Sequence, residues 1–416
     1  MLRPITLCIT ILLATACMAE STDRNTPQAA RQPGSPVQTA DLKSTAADNL
    51  SLDLGLSLLR YVAKEEGGAQ VLISPHGIAS ALVLAWNGSA GKTREGIAST
   101  IGLPVGTTFD QFNPTWASLN RSLTSTNADL QLANANSIWV RKGMQLAPPF
   151  MTRSRESFDA KIQTLDFEAA GAPGIINSWV QKATDDKIDS IITGPIPKST
   201  QVYLINALYF KGAWTAPFKE EATRPRDFHP TNEPARQVKM MERLAEWGYH
   251  KGEIEIVRLP YGKGRFAMYV VLPSKENLEE WLKVLDGEAW LAAVSSLSMR
   301  EGTVVLPRFR AAFSTKLKPA LNALGMAAAF SDAADFSAMT TGSVAISEVV
   351  HKTFIEVDEK GSEAAAATGI EMGSTSVNLD PPFEFVADRP FFFAIRDDQS
   401  GALLFAGIVR SLPESL

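Results

Sequence analysis

Hydrophobic residues recur along the chain with two different periods. In the first half they return every three or four positions, as at Leu54 and Leu58, and this spacing predicts amphipathic helices. In the second half the apolar residues form runs such as Phe266–Leu272, Val238–Met241 and Glu246–Tyr249, and these runs predict separate strands. The chain is therefore expected to contain both helices and sheets.

The second predicted helix has a clear start signal. Ser74 has a side chain that is preferred at a helix N-cap, and Pro75 is favoured as the first helical residue. The helix is expected to continue to about Trp86, because glycines and small residues follow. The short apolar run Val71–Ile73 precedes the helix and is predicted to be a buried strand.

A strand with regular alternation leads into an unusual segment. Over Ile346–Val357, alternate residues including His351 share one face. Asp358–Gly361 then has the composition of a chain reversal, in which glycine supplies backbone freedom. The segment from Ser362 to the Pro-Pro pair at 381–382 follows. Its first part, Ser362–Thr368, contains four consecutive alanines and no large residue that would anchor this run to a core.

Between Ser362 and Thr375, alternation keeps the charges of this segment on one side. Ser362, Ala364 and Ala366 belong to a set of alternate positions that carries no charge over this range. Both glutamates, Glu363 and Glu371, belong to the other set. If the segment became a strand, one face would be buried without burying a charged group. The pattern therefore predicts a loop that is able to become a strand.

The N-terminus has the features of an export signal. Arg3 precedes the apolar run Ile5–Ala16, as in a signal peptide. Leu13–Cys17 resembles a bacterial lipobox, in which Cys17 would carry the lipid, although Ala14–Ala16 also fits an ordinary cleavage site. We therefore expect a lipoprotein at the outer membrane or cell surface, with a secreted or periplasmic protein as the alternative.

The composition divides the chain into three parts. Residues 1–17 are predicted to be the signal peptide, and residues 18–42, rich in Ser, Thr, Gln, Ala and Pro, a disordered tether. Residues 43–416 form the predicted folded domain. Both cysteines, Cys8 and Cys17, lie in the leader, so this domain is expected to rely on its hydrophobic core rather than on disulfides.

Charge and motif content narrow the classes of function. The formal net charge is −5, and no cluster of lysines or arginines stands out in the sequence. A nucleic acid is therefore not expected as a partner. The sequence has no His-Glu-x-x-His zinc motif, no Gly-x-Ser-x-Gly nucleophile motif and no phosphate-binding glycine loop. We therefore expect no enzyme, no metal site and no cofactor.

Several separated motifs resemble one family, the serpins. Glu359–Thr368, reading EKGSEAAAAT, resembles the hinge of an inhibitory serpin, and Asn206–Trp214, reading NALYFKGAW, resembles the strand-to-turn signature of the family. Asp388–Phe391 and Leu404–Gly407 are similar to its C-terminal pattern, and the resemblance extends over about residues 43–411. It implies an α+β serpin fold with three β-sheets, about eight or nine helices and an exposed reactive-centre loop.

The resemblance implies a bacterial inhibitor of serine proteases rather than an enzyme. In such inhibitors a protease attacks the exposed loop and forms an acyl-enzyme, which is trapped when the cleaved loop inserts into the central sheet. The expected partner is a serine protease in a covalent acyl complex. The inhibitor itself is expected to be a monomer that contacts a membrane only through its lipid. The alternative is a non-inhibitory serpin that acts as a binding protein.

The resemblance also assigns roles to individual residues. Ser74, Asn206 and His351 match the shutter beneath the central sheet, and Trp214 matches the breach, where the loop first enters. The hinge residues, which would insert first, are Glu359, Gly361, Ser362, Ala364, Ala365, Ala366, Ala367 and Thr368.

The position of the reactive bond determines the expected target. Family spacing counted from the hinge glutamate places the bond at Thr375-Ser376, and Met372 and Leu379 are alternatives. The small β-branched Thr375 suits elastase-like or subtilisin-like proteases, whereas Met372 or Leu379 would favour chymotrypsin-like enzymes. No arginine or lysine lies between the hinge glycine and the Pro-Pro pair, so trypsin-like targets are not expected.

Overall fold

The computed structural model describes residues 46–124, 130–273, 278–362 and 381–414. Helices and strands both contribute to these ranges, in agreement with the predicted α+β class. None of the helices in these ranges is long and apolar enough to span a membrane. The predicted signal peptide, with Cys17, and the predicted tether lie outside the described residues.

Helices are concentrated in the first half of the chain, as the hydrophobic spacing predicts. The α-helices of the described ranges are α1 (Ala46–Glu66), α2 (Pro75–Gly88), α3 (Gly91–Thr100), α4 (Phe109–Thr124), α5 (Pro148–Phe158), α6 (Ala172–Ala183), α7 (Leu278–Val284), α8 (Gly287–Ser295) and α9 (Lys318–Leu321).

Strands are concentrated in the second half. They are β1 (Gln70–Ile73), β2 (Leu130–Arg141), β3 (Lys161–Leu165), β4 (Val202–Ala213), β5 (Arg224–Phe228), β6 (Arg236–Lys251), β7 (Ile254–Tyr261), β8 (Phe266–Pro273), β9 (Ser298–Pro307), β10 (Phe309–Lys316), β11 (Ile346–Asp358), β12 (Gly361–Ser362), β13 (Phe383–Val386), β14 (Phe391–Asp397) and β15 (Leu403–Val409).

Helix α2 begins where the sequence predicts and is buried on every side. The Ser74 hydroxyl accepts a hydrogen bond from the Gly77 N–H at 2.9 Å, and Pro75 is the first helical residue. All residues of the helix are buried, because it packs against β15 of one sheet and against β2 and β4 of the other. This packing places Ser74 beneath the six-stranded sheet.

That six-stranded sheet has the order β10-β11-β12-β4-β2-β3. Over most of their length β11 and β4 pair directly as parallel strands, up to Phe354 opposite Tyr209. Past that point the two-residue strand β12 lies between them and pairs antiparallel with both, so that Ser362 is opposite Val357 and Gly212. The sheet is therefore closed along most of the β11–β4 junction and already parted at one end.

The nine-stranded sheet has the order β1-β15-β14-β8-β7-β6-β9-β13, with β5 added on β6. Strand β6 is continuous over 16 residues, so the prediction of separate strands at Val238–Met241 and Glu246–Tyr249 was wrong. The residues between these runs are half-buried or exposed, which interrupts the apolar pattern, but their backbone stays paired with β9. The predicted third sheet corresponds to strands β5, β6, β9 and β13, at one end of the nine-stranded sheet. These strands are joined to the other strands of that sheet through β6, which also pairs with β7.

Helix α6 covers the face of the six-stranded sheet that is opposite α2. Ile176 and Val180 of this helix pack in one buried cluster with Trp139, Ile205 and Val350 of the sheet. Because helices cover both faces of the sheet, nearly every residue of strand β4 is buried, rather than every second residue.

Candidate functional site

The side chain of Asp358 closes the reversal between β11 and β12. Its Oδ1 accepts hydrogen bonds from the Lys360 N–H at 2.8 Å and from the Gly361 N–H at 3.1 Å. Gly361 has a φ of +150°, and a Cβ atom there would lie 2.0 Å from the carbonyl oxygen of Gly212. Glycine therefore lets the chain approach β4 more closely than any other residue would.

Glu359 forms a buried ion pair just past the end of β11. Its carboxylate accepts a hydrogen bond from Arg308 Nε at 2.6 Å and another from the Thr223 hydroxyl, and Glu359 is only 3% exposed. Burial raises the pKa of Glu359, but the hydrogen bonds from Arg308 and Thr223 outweigh burial and hold its pKa below the usual value. Glu359, the first residue of the predicted hinge, is thus anchored in its charged form to the connections that precede β5 and β10.

Trp214 lies directly against this reversal. Its indole Nε1–H donates to the carbonyl oxygen of Asp358 at 2.9 Å, and its backbone N–H donates to that of Lys360 at 3.0 Å. Its ring stacks on Tyr261 with centroids 4.3 Å apart. The structure therefore places the residue predicted for the breach where β12 enters the sheet.

Tyr261 is a member of this site that sequence reasoning missed. Its hydroxyl lies 2.6 Å from the Ser362 hydroxyl, and both side chains are buried. Burial raises the pKa of the Tyr261 hydroxyl, so it stays protonated and can donate. No motif or pattern in the sequence singles out Tyr261, which is the last residue of β7. We call Trp214, Tyr261, Glu359 and Ser362 the breach cluster.

His351 and Ser74 meet beneath the closed part of the sheet. The backbone N–H of Ser74 donates to His351 Nε2 at 2.9 Å, so the imidazole proton belongs on Nδ1. Burial lowers the pKa of His351 to about 3, which keeps the ring neutral at physiological pH. His351 Nδ1 is buried and has no hydrogen-bond partner among the described residues.

Asn206 is opposite His351 in the β4–β11 pairing but binds elsewhere. Its Nδ2 donates to Asn134 Oδ1 at 3.0 Å and to Asn136 Oδ1 at 2.9 Å, both on β2. Its Oδ1 is buried and has no partner within the described ranges. We call Ser74, Asn206 and His351 the shutter cluster. The structure brings its members together, although none of the described hydrogen bonds joins Asn206 to the other two.

The two clusters lie at different places along β11. His351 of the shutter cluster is on this strand, and Val357, which pairs with Ser362 of the breach cluster, is six residues farther along it, which corresponds to roughly 20 Å. The breach end opens to solvent through a cavity of about 360 Å³ that Arg308, Glu356 and Lys360 help to line. His351, by contrast, is fully buried.

Other predicted site residues lie outside the described residues. They are Ala364, Ala365, Ala366, Ala367 and Thr368 of the hinge, and Thr375, Ser376, Met372 and Leu379 of the reactive-bond region. In the part of the chain that the structure describes, no three His, Cys, Asp or Glu side chains are grouped to hold a metal ion.

Comparison with known proteins identifies a family. Residues 49–412 match the family described as Serpin (serine protease inhibitor). Human leukocyte elastase inhibitor is 33% identical over 383 residues, covering 88% of this chain and 98% of that protein. The crystal structure of Serpin48, a highly specific serpin of the insect Tenebrio molitor, has a TM-score of 0.79 and 30% identity, covering 89% of this chain and all of the other.

A third likeness concerns the fold alone. Human thyroxine-binding globulin complexed with its hormone has a TM-score of 0.80 at 23% identity, over 88% of this chain and 99% of the other. The predicted serpin fold is confirmed. The family match over residues 49–412 includes both sheets and both clusters, so the chain belongs to the serpin family.

Proposed function

We propose that this protein is a suicide-substrate inhibitor of serine proteases, of the elastase-like or subtilisin-like kind. Serpins are mostly protease inhibitors, and the inhibitor of leukocyte elastase is among the relatives of this chain. The observation that carries the proposal is β12. This two-residue strand already lies between β11 and β4, at the start of the segment whose pattern permits a longer strand.

The chemistry proceeds through an ester. The catalytic serine oxygen of the protease attacks the carbonyl carbon of Thr375, and the bond between Thr375 and Ser376 breaks. The new amino group of Ser376 takes the proton, and Thr375 remains bound to the protease as an acyl ester. The cut frees the chain after β12, which then extends that strand between β11 and β4 and carries the protease along.

Insertion has a clear source of free energy. Each residue added to β12 would form backbone hydrogen bonds with both β11 and β4. The starting state is therefore kinetically trapped, and cleavage releases it. Insertion must be faster than hydrolysis of the ester for the protease to be trapped.

The contacts of Ser362 indicate which residues must be small. Its side chain is completely buried against Tyr261, so residues in phase with it would be buried in an extended β12. Ala364 and Ala366 are in phase with Ser362, and neither carries a charge. This agreement supports an inhibitory hinge over a non-inhibitory one.

A gel experiment tests the proposal. The protein is mixed with neutrophil elastase, subtilisin and chymotrypsin, and a denaturant-resistant complex is expected with at least one of them. Mass analysis of the released C-terminal peptide then identifies the reactive bond, expected at Thr375-Ser376 and otherwise at Met372 or Leu379. Cleavage without any complex would favour the non-inhibitory binding protein.

The hinge assignment has its own test. Ala364→Arg places a charge in phase with the buried Ser362, so insertion should slow and the variant should be cleaved as a substrate. Glu363→Gln changes the other set of positions and serves as the control, with complex formation expected at the wild-type yield. A full yield of covalent complex from Ala364→Arg would contradict the hinge assignment.

Export and lipid attachment at Cys17 belong to the same proposal. The lipobox-like sequence Leu13–Cys17 supports them, and the lipid would hold a monomeric inhibitor at a membrane surface. Cell fractionation compares the wild type with Cys17→Ser. The wild type is expected in the membrane fraction and the variant in the soluble fraction, whereas a wild type found only in the soluble fraction would exclude the anchor.

A further inference from the structure

One face of strands β6, β9 and β13 presents large apolar side chains to solvent. Leu244 on β6 and Met299 on β9 are each 56% exposed. Glu246 is opposite Glu301, and Met299 is opposite Gly248, in an antiparallel pairing without a register shift. Directly opposed side chains, and those two residues apart on one strand, project to the same side of a sheet. These side chains therefore share one face.

Strand β13 extends this face toward the reactive loop. Glu384 pairs with Thr303, which in turn is opposite Leu244, and Glu384 is exposed. We call Leu244, Glu246, Met299, Glu301 and Glu384 the β6–β9–β13 face. It combines two exposed apolar side chains with three carboxylates.

The charges on this face do not stabilise the fold. Glu246 and Glu301 are directly opposed, and like charges in that position destabilise a sheet. Among the described residues, no ion pair or hydrogen bond involves the side chain of Glu246, Glu301 or Glu384. Exposed apolar groups and unbalanced charge on one surface are the features of a contact area for a partner of opposite charge.

The position of the face identifies that partner. Strand β13 begins two residues after the segment 363–380, and Glu384 is eight residues from Ser376, a separation of at most about 29 Å. A protease domain of about 240 residues has a radius of gyration of about 18 Å. A protease bound at Thr375-Ser376 is therefore large enough to reach the β6–β9–β13 face.

We propose that the β6–β9–β13 face is a second contact surface for the target protease. This inference rests on the proposed inhibitor function. The target has basic side chains near its active-site cleft, and these approach Glu246, Glu301 and Glu384. Apolar groups of the target pack on Leu244 and on Met299, which lie on either side of the Glu246–Glu301 pair. The carboxylates accelerate the encounter, and the apolar pair holds the first, non-covalent complex.

Rate measurements test this surface with two variants. One combines Glu246→Gln, Glu301→Gln and Glu384→Gln, and the other combines Leu244→Ser and Met299→Ser. The second-order association rate constant and the stoichiometry of inhibition are measured with the protease that forms the covalent complex described above. Both are measured at about 0.05 M and about 0.5 M salt, since salt screens exposed charges.

Each variant has a matched control at exposed positions on other elements. The charge control combines Glu95→Gln on α3 and Glu156→Gln on α5, two helices that pack against α2. The apolar control is Val105→Ser, in the connection between α3 and α4, where Val105 is fully exposed. Both controls are expected to associate at the wild-type rate.

The triple glutamine variant is expected to associate about tenfold more slowly at low salt and at nearly the wild-type rate at high salt. The double serine variant is expected to be about threefold slower at both salt concentrations, with the stoichiometry of inhibition unchanged in each case. Covalent complexes formed at wild-type rates by both variants would overturn this surface alone. The absence of any covalent complex would overturn the inhibitor function as well, so the two failures are distinguishable.

Discussion

The breach cluster, just past the end of β11, and the shutter cluster, beneath the middle of that strand, are held together by different interactions. At the breach, the ionised Glu359 binds Arg308 and Thr223, aromatic rings stack, and β12 already parts β11 from β4. At the shutter, the strands are closed, His351 is neutral, and one hydrogen bond joins it to Ser74. The breach cluster is thus stabilised mainly by charge-assisted hydrogen bonds, and the shutter cluster mainly by the burial of neutral groups.

This difference concerns how well the polar groups of each cluster are paired. Charge-assisted hydrogen bonds are strong, and those of Glu359 hold the chain at the start of β12 in one place. Beneath the closed strands, His351 Nδ1 and Asn206 Oδ1 lack partners among the described residues, and an unpaired buried polar group is unfavourable. The side-chain polar atoms of the breach cluster have partners in the described ranges, so the shutter cluster is the less favourably bonded of the two.

The largest effect is expected at Gly361. Gly361→Ala would place a methyl group 2.0 Å from the Gly212 carbonyl oxygen, and it should lower the free energy of unfolding by about 3 kcal/mol. Urea unfolding at pH 7 measures the loss. Gly264→Ala is the control, because Gly264 has a φ of +92° but open space around it, and about 1 kcal/mol is expected there. Equal losses would mean that β12 is not wedged against β4.

The second largest effect concerns the charge lock of the breach. Arg308→Met leaves the Glu359 carboxylate buried without its cation, and a loss of about 2 kcal/mol is expected, since Arg308 remains partly exposed. Arg310→Met is the control, because the Arg310–Glu356 pair is more exposed and should contribute at most about 0.5 kcal/mol. Both values come from urea unfolding at pH 7. If the two variants behaved alike, the breach would not depend on this ion pair.

Acid should weaken the shutter before the breach. The pKa of His351 is lowered to about 3, so the unfolded chain binds a proton below about pH 6.5 while the folded protein does not. The contribution of neutral His351 to the free energy of unfolding is therefore present above that pH. About 2 kcal/mol of this contribution is lost between pH 6.5 and pH 5. The pKa of Glu359 is below its usual value, so its contribution is lost only at lower pH.

His351→Gln separates these contributions. The variant removes the titrating group but keeps a side-chain acceptor for the Ser74 N–H, so its stability should fall by about 2 kcal/mol less than that of the wild type between pH 6.5 and pH 5. Arg310→Met, which changes the more exposed Arg310–Glu356 pair, should keep the wild-type pH dependence over that range. Unfolding midpoints in urea at both pH values provide the measurement, and identical pH slopes for His351→Gln and the wild type would contradict a neutral His351.

The smallest effect is expected from Tyr261→Phe. This change removes the hydroxyl that bonds Ser362 but keeps the ring that stacks on Trp214, and about 1 kcal/mol should be lost. Urea unfolding again measures it. A loss above about 3 kcal/mol would mean that the hydroxyl supports more of the breach than its bond to Ser362.

Local sequence determined the elements that flank the site. The Ser74-Pro75 start of α2, the alternation of β11 and the reversal that needs Gly361 follow from N-cap chemistry, side-chain periodicity and backbone sterics. Each of these depends on residues within a few positions of one another. The placement of His351 beneath the sheet and of Trp214 beside the loop entry came from family resemblance, since no local pattern carries it.

Only the tertiary structure decided the partners of these residues. Arg308 and Thr223 bond to Glu359, and Tyr261 bonds to Ser362, across 51 to 136 residues of sequence. The spacing of apolar residues along the chain does not predict contacts between such distant positions. The continuity of β6 could not be predicted for a related reason. The residues between its two apolar runs are held in the strand by backbone hydrogen bonds to β9, and these bonds do not depend on side-chain type. The sequence thus determined which segment has the pattern of a possible strand, and the folded sheet decided where β12 lies and which side chains it contacts.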